Sequence, residues 1–104
     1  MGEFEQALLY AVRYLQDDEE RATGPAIRKL LKARTGRLVS PGSTYTALNR
    51  LESRGYVTSE LGEPTPERGG KRKRLYRMRA AGDAALRSAE ASLARLARLT
   101  RARS

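Results

Sequence analysis

Residues 40–56 read SPGSTYTALNRLESRGY and contain a helix start, a helix body and a helix stop. Ser40 can cap the helix, Pro41 suits the first helical position because its missing N–H is not needed there, and Gly55 can take the left-handed conformation that ends a helix. Between these signals Leu48 and Leu51 recur at helical spacing, with Ala47 and either Val39 or Pro41 nearby. Ser43, Thr44, Thr46, Asn49, Arg50 and Arg54 are left for the outside. One side can bury; the other offers short hydrogen-bonding groups and positive charge. The short polar residues lie at the N-terminal end, where unpaired N–H groups favour an anion such as a phosphate. Taken alone, the segment reads either as the nucleic-acid-facing helix of a helix-turn-helix unit or as an ordinary amphipathic surface helix. On the first reading Ser43, Thr44, Thr46 and Asn49 are candidates for base or phosphate hydrogen bonds, and Arg50 either reaches one of these or pairs with Glu52 or an acidic residue of a neighbour. Tyr45 is either a plain core tyrosine or a half-buried ring whose hydroxyl reaches a phosphate.

Upstream, residues 4–16 place Phe4, Ala7, Leu8, Ala11 and Leu15 on one helical stripe. Leu9, Val12 and Tyr14 widen it, which predicts contact either with two neighbours, one of them a second subunit, or with a thick core in one domain. The acidic run from Asp17 to Glu20 is unfavourable near a helix C-terminus and predicts a loop. Thr23-Gly24-Pro25 starts a second helix with Ala26, Ile27, Leu30 and Leu31 inward, Lys29 and Lys32 outward and Gly36 as its stop. Only residues 37–39 separate that stop from Ser40. The two helices are therefore neighbours, and the first braces the second.

Downstream, Tyr56, Val57, Thr58 and the alternation through Leu61 predict a short strand, and Arg74 to Met78 a second one. Tyr76 and Met78 share one face of it, Leu75 and Arg77 the other. The glycine- and proline-rich interval between them makes a hairpin with a long loop. That hairpin carries Arg68 and then Lys71, Arg72, Lys73 and Arg74, a cationic tip suited to a DNA backbone or minor groove, or to a solvated turn or an RNA contact. From Ala80 to Arg98 a long helix places Leu86, Ala89, Leu93 and Leu96 on one face, with Leu99 at its edge. A second copy, or folding back on the same domain, would cover that face. The candidate dimer contacts are Leu8, Val12, Leu86, Ala89, Leu93 and Leu96, and Thr100 to Ser104 are expected to fray.

Composition narrows the partners. The chain has 104 residues, 21 Lys and Arg against 12 Asp and Glu, a net charge of +9 and a pI near 10.6. The charge is segregated, with an acidic first twenty residues and a basic run over residues 68–79, so a localised surface for a polyanion is the better inference. Cysteine and histidine are absent, which excludes disulfides, thiol nucleophiles and Cys/His metal sites; the remaining acids form no catalytic constellation. The chain is expected to be non-catalytic, without metal or cofactor, soluble and cytoplasmic, since no apolar run is long enough to cross a membrane.

The predicted order is mainly α with a small β-hairpin: a winged helix-turn-helix over residues 1–79 and a C-terminal dimerisation helix and tail over 80–104. At this point the sequence resembles the PadR-like transcriptional regulators. The resemblance runs through Pro41-Gly42-Ser43-Thr44-Tyr45, Leu48-Asn49-Arg50-Leu51-Glu52, Gly55-Tyr56, the charged wing, Leu75-Tyr76-Arg77-Met78 and Gly82. It implies a homodimeric bacterial regulator, mostly of the repressor kind, whose C-terminal helices pair and whose winged domains bind a palindromic operator in double-stranded DNA. By position it implies that Thr44 and Tyr45 lie at the DNA-facing start of the recognition helix and Lys71 to Arg74 in the wing. Two departures stand out. Arg79 replaces the usual helix-capping threonine, and the C-terminal part is a single short helix. A small-molecule effector at the dimer interface would have to use tyrosines such as Tyr10 or Tyr14. The alternatives are a non-catalytic protein-interaction module and an architectural DNA binder of low specificity.

Overall fold

In the computed structural model, which describes residues 1–19, 21–64 and 72–103, four helices accompany a two-stranded antiparallel hairpin. The order is α1 (Glu3–Leu15), α2 (Gly24–Thr35), α3 (Pro41–Ser53), β1 (Val57–Pro64), β2 (Arg72–Met78) and α4 (Ala80–Ala102). Helix boundaries follow local chemistry. The Thr23 side chain accepts the Ala26 N–H at 3.2 Å, and the Ser40 hydroxyl accepts the Ser43 N–H at 3.1 Å. Gly36 ends α2 at φ 73°, a left-handed conformation that favours glycine. At the end of α3 the Tyr56 N–H reaches the Leu51 carbonyl and the Gly55 N–H reaches the Glu52 carbonyl, the paired bonds of a Schellman motif.

One core joins the elements. Leu8, Leu9 and Val12 of α1, Ile27 of α2, Leu48 and Leu51 of α3, Val57 of β1, Tyr76 of β2 and Leu86 of α4 are all buried within it. Register in the hairpin pairs Val57 with Met78 and Leu61 with Arg74, then shifts before Pro64 meets Arg72. Period-two alternation sends Tyr76 inward and Arg77 outward. The Tyr76 N–H also donates to the Ala22 carbonyl at 2.9 Å, and Thr23 bridges to Leu75. These bonds anchor the wing base to the entry of α2.

Four expectations are corrected by this packing. Leu8, Val12 and Leu86, anticipated at an interface with a second copy, are wholly enclosed in the core of their own chain. Thr44, anticipated on the outside of α3, is fully buried; its hydroxyl donates to the Ser40 carbonyl at 2.9 Å, which satisfies the polar atom and frees its methyl to pack. Both strands are longer than their alternation indicated, and the helical geometry of α4 continues to Ala102 where fraying was expected from Thr100. Alanine and arginine are strong helix formers, which accounts for the continuation. Among the described residues no side chain caps α4 at Arg79, where the resemblance implies a threonine.

Candidate nucleic-acid interface

Helix α3 packs Thr44, Ala47, Leu48 and Leu51 inward, so Gly42, Thr46, Asn49 and Ser53, at spacings of three and four, form the middle of its exposed side. The two edges of that face are held by different neighbours. On one edge Ser43, Arg50 and Arg54 run alongside α1. There the Arg54 guanidinium donates to the Glu5 carboxylate at 2.7 Å and Arg50 lies 3.8 Å from it. On the other edge Tyr45 rests against the start of α2: a Cβ at Gly24 would meet the Tyr45 hydroxyl at 2.6 Å, so the small residue makes room for the ring. The Arg28 guanidinium lies 6.0 Å from the ring centroid. Tyr45 is 39% exposed, so it is not a plain core tyrosine, and its hydroxyl end lies against Gly24.

The same edge connects α3 to the wing. The Ser59 hydroxyl of β1 donates to the Glu52 carboxylate, at 2.8 and 3.0 Å to its two oxygens, while Arg74 Nη1 of β2 donates to that hydroxyl at 3.1 Å. Arg72 Nε donates to the Gly62 carbonyl at 2.8 Å, bracing the hairpin across its irregular register. Arg72, Lys73 and Arg74 are exposed; Arg68 and Lys71 lie outside the described residues. The wing strands and α3 are thus one hydrogen-bonded unit presenting hydrogen-bonding groups and positive charge. Among the described residues no cluster of acids could hold a metal ion, and no helix is long and apolar enough to cross a membrane.

Burial elsewhere bears on the site. The Tyr76 hydroxyl and Arg28 Nη1 are buried with no hydrogen-bond partner among the described residues. Burial pushes the Tyr76 phenol above its ordinary pKa, with nearby Tyr45 adding to the shift. At the far end of the chain α4 is tied to α1. The Tyr10 hydroxyl donates to the Glu90 carboxylate at 2.5 Å, and Arg13 lies 3.5 Å from Glu90 and 3.9 Å from Asp83. The Tyr10 hydrogen bond holds Glu90 below the usual carboxylate range, and the same bond raises the phenol. Ala89 is half-buried, whereas Leu93, Leu96 and Leu99 are about 60% exposed. Ala7, Tyr10, Tyr14, Leu30 and Arg34 help to line an open groove of about 750 Å³ between α1 and α2.

Local sequence pattern located Ser43, Thr46, Asn49 and Arg50 on the exposed surface of α3. It did not find the roles of Glu5 and Ser59. Each of these meets partners from another element, and only the favourable charge of an acid in the first turn of α1 hinted at Glu5.

Residues 14–88 match the model of the transcriptional regulator PadR-like family, a family of regulators and not of enzymes. No curated protein matches the chain. Among solved structures, a PadR family transcriptional regulator from Eggerthella lenta is 29% identical with a TM-score of 0.70, the alignment covering 93% of this chain and 77% of that one. A PadR-like transcription factor from Bacteroides fragilis gives 22% identity and a TM-score of 0.77 over 97% of this chain and 89% of that one. PadR of Bacillus subtilis, solved in complex with operator DNA, shares the fold at 19% identity and a TM-score of 0.65, over 85% of this chain and 46% of that one.

Proposed function

The chain belongs to the PadR-like family of transcriptional regulators, and from that premise we propose that two copies bind one palindromic operator and repress transcription by excluding polymerase. The observation that carries the DNA-binding part is the α3–wing unit: Thr46 and Asn49 face outward on a helix coupled through Glu52, Ser59 and Arg74 to a cationic hairpin. In this reading Thr46 and Asn49 meet base edges, Ser43 and Tyr45 lie nearer the backbone, and the wing cations at Arg68 and Lys71 to Arg74 neutralise phosphates. The solved complex of the Bacillus subtilis protein with operator DNA supports the choice of ligand.

The exposed leucines support pairing. Leu93, Leu96 and Leu99 form an apolar stripe on the part of α4 that leaves the core, and a second copy would cover it. Residues 80–104 then serve as the dimerisation segment, although α4 begins as part of the winged domain through Gly82 and Leu86. Effector control is assigned to the groove beside Tyr10 and Tyr14, whose aromatic and apolar side chains suit a planar molecule, uncharged or anionic because Arg13 and Arg34 also line it.

Selection of binding sites from random duplexes tests the reading. The expected product is an inverted repeat with half-site centres about 34 to 36 Å apart, or a multiple of that distance. Recovery of no preferred sequence would leave an architectural binder. Titrating the protein–operator complex with planar aromatic molecules, uncharged and anionic against cationic, tests the effector assignment, with release of DNA by the first two as the expected result.

A further inference from the structure

A carboxylate beside the DNA-facing helix of a chain with net charge +9 opposes attraction to a polyanion. Glu5 is such a group. Its side chain is 14% exposed and engages Arg50 at 3.8 Å and Arg54 at 2.7 Å. The placement is favoured twice over: Glu5 sits in the first turn of α1, near the positive end of that helix dipole, and Arg54 caps the negative end of α3. Its partial burial also makes the contact less sensitive to screening than a pair in open solvent. The two arginine side chains remain 52% and 46% exposed, on the edge of the face that includes Ser43. Released, they could reach phosphates.

We propose that Glu5 is a specificity-determining residue, an internal anion that withholds Arg50 and Arg54 from sequence-independent contact with phosphates. The inference rests on the reading of α3 as the DNA-facing helix. On random DNA no base contacts fix the register, so long, untied arginines can follow whichever phosphates are near. On an operator, contacts from Thr46 and Asn49 fix the register and leave fewer positions for them. Tying both guanidinium groups to Glu5 therefore weakens random binding more than operator binding. The ratio between the two rises.

Glu5→Gln keeps the side-chain shape and a hydrogen-bond acceptor for Arg54 while removing the charge. Affinities of the full chain for a selected operator and for a shuffled duplex are measured across a salt series, with a thermal melt of each variant. The variant is expected to bind the shuffled duplex about tenfold more tightly and to steepen its salt slope by up to about 1.8, or about 0.9 for each newly contacted phosphate. The operator should gain less. In a chain already carrying Arg50→Gln and Arg54→Gln, Glu5→Gln should change neither duplex. Should Glu5→Gln melt below the assay temperature, Glu5→Asp, which withdraws the charge by one methylene, should give a smaller shift in the same direction. Unchanged shuffled-duplex affinity and slope, an equal gain on both duplexes, or an undiminished effect without the arginines would overturn the proposal. A wild-type chain that fails to distinguish operator from shuffled DNA would remove the underlying reading; a discriminating wild type with an inert Glu5→Gln variant would remove only the role of Glu5.

Discussion

A methyl group at position 82 would collide with the Tyr56 carbonyl and approach Met78 Cε to 3.0 Å. Glycine there lets the first turn of α4 lie on the chain leaving α3. Alanine is intrinsically the better helix former by about 1 kcal/mol, yet the collision with backbone should win. We predict that Gly82→Ala lowers stability by about 1 to 3 kcal/mol in urea denaturation. Tyr76 calls for the opposite sign. Its hydroxyl is buried without a partner among the described residues, so Tyr76→Phe should raise stability at neutral pH by about 1 kcal/mol. The pH dependence has a definite direction. Burial raises the phenol pKa above 10.0, so the stability present below that value falls as pH rises past it, because the unfolded chain loses its proton first. Tyr76→Phe should flatten the alkaline decline between about pH 9 and about pH 11, measured by denaturant midpoint at each pH.

Helix α3 and the wing strands form one unit because Ser59 links Glu52 to Arg74. Replacing Lys71, Arg72 and Lys73 together by glutamine leaves that link in place and removes three cations, together with the Arg72 bond to the Gly62 carbonyl. Binding to operator and random duplex should weaken alike, and the salt slope should flatten by up to about 2.7 for three phosphates; electrophoretic shift across a salt series reads both. The elements themselves were legible because their signals are local: Thr23 and Ser40 cap, Gly36 and Gly55 stop, and alternating residues mark the strands. What faces what was less legible. The buried Thr44 reads as polar until its hydroxyl is seen to turn back to Ser40. Leu86 and Leu93 lie on one predicted stripe, but α1 covers the start of α4 and leaves the later turns exposed. Hydrogen bonds from Arg54 to Glu5 and from Ser59 to Glu52 join residues on different elements, beyond the reach of helical or strand periodicity.

The described chain extends 58 × 28 × 24 Å, and a helix of 23 residues accounts for much of the long dimension, at about 1.5 Å per residue. The core ends on that helix at Leu86, and the next leucines of the stripe, Leu93 and Leu96, are each 60% exposed. Their removal therefore separates pairing from folding. Leu93→Glu with Leu96→Glu should leave the thermal melt of a single subunit nearly unchanged, while removing about 1.5 to 3 kcal/mol of burial for every leucine covered by a partner and adding repulsion. With both subunits altered, four leucines are lost from the pair, enough to separate micromolar protein as judged by sedimentation. Operator affinity should then fall about 100-fold or more, because the second half-site no longer benefits from tethering to the first. Affinity for an isolated half-site should hold, since both leucines are exposed on the part of α4 beyond the core. Equal losses on half-site and full operator would place these leucines in the support of the DNA-binding surface, not in pairing.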